Sequence, residues 1–264
     1  MTTTFMLRTL CNFVFRLRPY PAICLPAHVR SASANLAVLL ALAGLLPLWE
    51  QQPATVVNHN DVIARMEESN SARQKALQSY RNLRRYQAAN SFLGRQASVV
   101  VEMQYTAPEE KSFRVLETSG SRTIQKRVIE PLLASEREAA RRQERKDTDI
   151  SRQNYIFTFS GMDESSGAYI FTVEPRSANK YLFRGRLWID CDNFAISRLE
   201  GEPAKSPSFW IKKTHFVHQY ARFGDFWFPQ SNRTEVELRI FGKSSLSIDY
   251  YGYEWQPGTT ALVK

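Results

Sequence analysis

Cysteine is scarce. The chain has 264 residues and three cysteines, Cys11, Cys24 and Cys191. The first two precede an apolar run at residues 36–49, so the remainder holds one thiol and no internal disulfide. No cysteine follows the run closely, which argues against a bacterial lipidation site. Cys191 lies between Asp190 and Asp192, and neighbouring acids raise a thiol pKa. It reads as a strand-end residue, not a nucleophile. A GxxxxGK[ST] phosphate loop is absent, as is a GxSxG nucleophile elbow. Of four histidines only His215 and His218 are close. A spacing of three on a strand points them to opposite faces, so one metal ion does not take both. Asp190, Asp192, Glu200 and Glu202 flank turns, and turn chemistry accounts for them. No catalytic residue, metal ligand or cofactor is therefore expected, and the chain reads as a binder instead of an enzyme.

Acids are missing from the first 49 residues, which carry Arg8, Arg16, Arg18 and Arg30. They lead into "LAVLLALAGLLPLW" at 36–49, fourteen residues without a charge. A basic lead before a short apolar run is the pattern of an export signal. A full membrane span needs about 20 apolar residues. The cleavage site is not clean, so an uncleaved anchor stays open. Residues 1–53 are expected to be a signal peptide or N-terminal membrane anchor, with residues 54–264 forming the domain. The whole chain carries 35 Lys+Arg against 26 Asp+Glu, a net charge of +9. This mild surplus suits contact with anionic surfaces. It is not a concentrated polybasic tract, and no nucleic-acid partner is expected.

What is plentiful is period-two alternation. Asn58 and Asp61 begin a helix over about 60–77. Then "SVVVEMQY" places Val99, Val101, Met103 and Tyr105 on one face, and "KSFRVLET" is a second strand. The stretch 121–147 returns to helix. Pro131 fits there as the first turn of a second helix, and Arg137, Glu136 and Glu138 read as a solvated, ion-paired face. From Tyr155 onward the chain is almost wholly strand. Tyr155, Phe157 and Phe159 share a face, as do Tyr169, Phe171 and Val173, then Val236, Leu238 and Ile240, then Leu246, Ile248 and Tyr250. Short turns such as "CDN", "GEPAKSP" and "RFGD" separate them. About ten antiparallel strands curl instead of lying flat. The expected fold is α+β, mainly β: a curved antiparallel sheet forming an incomplete barrel, with helices over its concave side. Alternating Tyr, Phe, Val, Leu and Ile would line an apolar hollow suited to acyl chains. Phe157, Phe159, Phe171, Leu187, Leu238 and Ile248 are the expected lining.

The stretches "YLFRGRLWIDCDNFAISRLEGEP", "PSFWIKKTHFV" and "FGDFWFPQSNRTEVELRIFGKSSLSIDYYGY" resemble the outer-membrane lipoprotein-sorting (LolA-like) proteins of bacteria. The "FRGRLWID" and "FAISRLEG" pair is similar to a family strand pair with "G-x-hydrophobic-W-I-D" and "R-x-E", and "G-x-F-W-F-P" at Gly224–Pro229 is similar too. The resemblance covers roughly residues 58–255. It implies a periplasmic carrier with a helical lid over an incomplete barrel, holding the acyl chains of a lipoprotein or lipid on the way to the outer membrane. It also implies inner-membrane donor and outer-membrane acceptor proteins. Two other readings stand beside it: a membrane-anchored envelope sensor or protein-binding module of the same fold, and an enzyme of unrecognised type.

Overall fold

The computed structural model describes residues 58–108, 110–140, 149–179, 181–206, 208–239 and 242–257. The expected signal or anchor at 1–53 lies outside them, as does Ile240. Among the described residues, no helix is long and apolar enough to cross a membrane.

The first element is α1, His59–Ala76, capped by Asn58, whose side chain accepts from the Asn60 amide at 3.1 Å. It buries Val62, Ile63 and Met66. Three strands follow: β1 (Leu77–Asn90), β2 (Arg95–Thr106) and β3 (Glu110–Gly120). A helical run comes next, made of α2 (Arg122–Ile124), a π-helical turn (Gln125–Ile129) and α3 (Glu130–Ala140). The wide turn sits directly before Pro131. That residue has no amide to offer the ladder, and the Glu130 amide reaches back five residues to the Gln125 carbonyl. One helical run with a local widening thus replaces the expected fresh start at Pro131.

Seven more strands complete the chain: β4 (Tyr155–Met162), β5 (Tyr169–Pro175), β6 (Phe183–Ile189), β7 (Ile196–Pro203), β8 (Ile211–Phe223), β9 (Phe226–Leu238) and β10 (Gly242–Pro257). All ten form one sheet in the order β3-β2-β1-β10-β9-β8-β7-β6-β5-β4, with every pairing antiparallel. The expected curved, mainly β architecture is present. β3 and β4 are its two edges, so the sheet does not close.

This order explains where the helices lie. The chain leaves β3 at one edge and enters β4 at the other. The described helical part of that connection lies over β1, β2 and β3, burying Ile124, Val128, Ile129, Leu132 and Leu133 in the same core as Val62, Ile63 and Met66 of α1. Against these pack Val99, Val101, Phe171, Val173, Leu187, Leu199, Phe216, Val236, Leu246 and Ile248 from alternate positions of the strands. The other face is polar, with ion pairs such as Arg186–Glu200 (3.1 Å), Arg198–Glu200 (2.7 Å) and Lys212–Glu237 (2.6 Å).

Candidate ligand-binding face

Cross-strand register sets the helix-covered face in rows. One row runs Phe159, Phe171, Leu187, Leu199, His218, Asn232, Ile248, Tyr86, Val99, each directly opposite the next across nine strands. Four of the six expected lining residues, Phe159, Phe171, Leu187 and Ile248, fall in this single row. Phe157 lies one step along β4, opposite Val173. Leu238 is at the end of β9, opposite Ile211 on one side and Gly242 on the other. All six share the face. Phe171, Leu187, Leu238 and Ile248 are buried, while Phe157 and Phe159 are half-buried and packed against the core. Helical residues pack over them, so the face is covered here. His59 at the start of α1 stacks on Phe159, with ring centroids 3.7 Å apart, and meets Phe171 edge-on at 6.4 Å.

Two polar features interrupt this face, and the alternation did not reveal them. The first is His218 opposite Asn232, both 3% exposed, with Thr234 Oγ1 bonding Asn232 Oδ1 at 3.2 Å. His218 Nε2 is buried without a hydrogen-bond partner. Burial pushes this imidazole down to about 3, because a charged ring is poorly solvated there. His215, three residues earlier, is exposed on the other face, as the spacing requires.

The second is a closed ionic box. Arg84 Nη1 donates to Glu136 Oε2 at 2.7 Å, and the Tyr86 hydroxyl donates to Glu136 Oε1 at 2.9 Å. Arg84 Nε also reaches Asn82 Oδ1 at 3.2 Å, and the guanidinium lies over Tyr250 and Phe113. Burial and the Glu136 carboxylate raise the Tyr86 phenol far above its ordinary value. Glu136 is therefore not on a solvated face as the sequence suggested. It ties α3 to β1 inside the core. Arg137 lies over the Phe113 ring at 5.9 Å.

Trp188 belongs to the outer face, between the guanidinium groups of Arg186 and Arg198 at 5.2 and 4.8 Å. Its indole donates to Asp163 Oδ2 at 3.3 Å. The Cys191 thiol is raised by burial and by Asp192 and Asp190, as expected of its neighbours. Among the described residues, no group of histidine, cysteine or acidic side chains could hold a metal ion.

No protein-family model matches the sequence, and no curated protein matches it significantly. Solved structures do match its shape. One is described as an outer membrane lipoprotein-sorting protein domain from Vibrio parahaemolyticus, with 10% identity, 78% of this chain and 96% of that chain covered, and a TM-score of 0.36. Another is a LolA superfamily protein from Nitrosomonas europaea, with 10% identity, coverage of 79% and 98%, and a TM-score of 0.33. A third is the MucA/MucB complex of Pseudomonas aeruginosa, with 10% identity, coverage of 75% and 99%, and a TM-score of 0.25. The likeness is one of strand-and-helix plan, and neither ligand nor partner is carried over from these proteins.

Proposed function

We propose that this chain is a periplasmic carrier that holds acyl chains of a lipoprotein or lipid against the helix-covered face of its sheet. The observation that carries the reading is the row from Phe159 to Val99. Large apolar side chains from both ends of an unclosed sheet converge on one face, and that face is covered by helices instead of a second sheet. Helical cover can move away without breaking any strand pairing. Among the described residues α1 has no buried ion pair to give up, and α3 moves only by parting Arg84 from Glu136. An acyl chain taking its place would gain about 0.8 kcal/mol for each buried methylene, which offsets the apolar contacts the helices give up. Phe157, Phe159, Phe171, Leu187, Leu238 and Ile248 would then contact the cargo. In this reading residues 1–53 export or anchor the domain, and donor and acceptor proteins load and drain it.

The test is native mass spectrometry of the protein purified from a bacterial envelope, followed by titration with a fluorescent fatty acid. Co-purified lipid and saturable micromolar binding are expected. A protein that arrives empty and leaves the probe unbound would sink the carrier reading.

A second reading, a protein-binding module, is favoured by the edge strand β3. Among the described residues no strand pairs its outward side, and Val115 and Leu116 are 53% and 47% exposed. Such an edge accepts an added strand from a partner.

A further inference from the structure

Three of the turns on one side of the sheet are neighbours, and their order is fixed by pairing. β1 pairs β10, β10 pairs β9, and β9 pairs β8. The β1–β2 turn, the β9–β10 turn and the β7–β8 loop therefore sit side by side. Asn90 at the end of β1 lies opposite Ser244, and Leu238 at the end of β9 lies opposite Ile211. The two outer turns carry four exposed large apolar side chains: Phe92 and Leu93, each 45% exposed, and Phe209 and Trp210, 76% and 38%.

These side chains are held in place. The Arg239 amide donates to the Trp210 carbonyl at 3.0 Å, and Arg239 Nε donates to the Phe209 carbonyl at 2.8 Å. Its guanidinium lies 5.2 Å from the Phe209 ring centre. On the neighbouring turn the Leu93 amide is tied to Asn90 Oδ1 at 2.8 Å, and Asn90 is itself bonded to Ser244 Oγ at 3.1 Å. A collapsed loop would have tucked these rings away; this one is pinned with them outward.

Charge on the same rim has one dominant sign. Arg95, Lys205, Lys212, Lys213, Arg239 and Lys243 are all exposed there. Of the carboxylates beside them, Glu237 is bonded to Lys212 at 2.6 Å and Glu202 lies 3.6 Å from Arg184. Aromatic tips set among lysines and arginines match the layered chemistry of a bilayer surface. Tryptophan and phenylalanine enter the headgroup–acyl boundary, while the cations meet anionic lipid phosphates.

We infer that this rim is a docking surface for an anionic lipid bilayer, with Phe209, Trp210, Phe92 and Leu93 entering the interface and the surrounding cations meeting its phosphates. The inference is independent of what the concave face holds. Protruding tips suit a soft surface they can enter, whereas a folded acidic protein would need matching hollows.

The test uses the full chain and hydroxyl-radical footprinting, which reads each side chain's access to water. Labelling at Phe209, Trp210 and Phe92 is compared with Ile156 and Met162 on the distant edge strand β4, which are 50% and 52% exposed. With phosphatidylglycerol-containing vesicles, rim labelling should fall severalfold relative to β4. With pure phosphatidylcholine vesicles it should stay unchanged, even if the N-terminal apolar run inserts. The double variant Lys205→Glu, Lys213→Glu should need at least about fivefold more anionic lipid for each cation removed to reach the same protection. Both sites are exposed, and an unchanged unfolding midpoint would show the fold intact. Protection equal in the two vesicle types, equal at β4 and the rim, or absent with the anionic lipid would overturn the inference. So would rim protection by an acidic protein fraction but not by vesicles.

Discussion

Arg84 and Glu136 form an ion pair 2.7 Å long in which each side chain is 1% exposed. One belongs to β1 and the other to α3, so the pair clamps α3 to the third strand from one edge of the sheet. Removing both charges from water is costly, and the attraction offsets that cost only while both partners remain. Glu136→Gln should therefore destabilise the fold by about 3–5 kcal/mol, by leaving the guanidinium buried and unpaired. The double variant Arg84→Met, Glu136→Leu should recover much of that loss. Urea unfolding of the three proteins checks this; equal losses in the single and double variants would refute the account.

His218 gives the fold a pH dependence of definite sign. Its folded pKa, about 3, lies below the ordinary value of 6.5. The unfolded chain therefore takes up a proton that the folded chain refuses. Stability is complete above pH 6.5 and falls as pH drops toward 3, by about 1.4 kcal/mol per pH unit from this group. The variant His218→Gln should flatten that slope between pH 6 and 4. Unfolding free energies measured across this range decide it, and an unchanged slope would mean the imidazole is solvated.

Most of the sheet was legible because its strands alternate cleanly. Val99, Val101, Met103 and Tyr105 are buried on one face as the period-two pattern demanded. β1 was not legible. In "LQSYRNLRRYQAAN" the inward positions include Asn82, Arg84 and Asn90, and an inward arginine removes the contrast on which alternation depends. Its partner Glu136 lies 52 residues away, beyond any local pattern. The six expected lining residues all lie on the helix-covered face, since parity alone decides which face a strand residue takes. Whether a face is hollow or covered depends on how the helices pack, and period-two alternation is silent on this. That the helical connection joins strands at opposite edges of the sheet follows from β1 pairing β10, a contact without a sequence signature.

Gly185 and Gly201 face each other across β6 and β7. A β-carbon on Gly201 would meet the Arg184 carbonyl at 2.2 Å, and one on Gly185 would meet the Glu200 carbonyl at 2.0 Å. Backbone atoms cannot yield as a flexible side chain can. Gly201→Ala should thus cost about 1–3 kcal/mol or more, despite adding a single methyl group. A thermal midpoint within a degree or two of the parent would contradict the close approach of these strands.

Acyl-chain holding is separated from ordinary core packing by comparing two glutamates. Leu238 stands at the end of β9, opposite Gly242 and one residue before the exposed Arg239 that begins the turn. Ile248 stands mid-row, 0% exposed, between Asn232 and Tyr86. A carboxylate at 248 has no route to water, so Ile248→Glu should unfold the domain or cost several kcal/mol. At 238 the three-bond glutamate stem can turn its charge toward the turn and keep its methylenes inside. Leu238→Glu should therefore retain strand-rich circular dichroism with a lowered midpoint. In a carrier it should also bind a fluorescent fatty acid at least tenfold more weakly, because a charge now borders the face that receives the chain. Equal probe binding by Leu238→Glu and the parent would remove Leu238 from the binding face. Undiminished binding in Phe159→Ala and Phe171→Ala as well would remove the acyl chain from the face altogether.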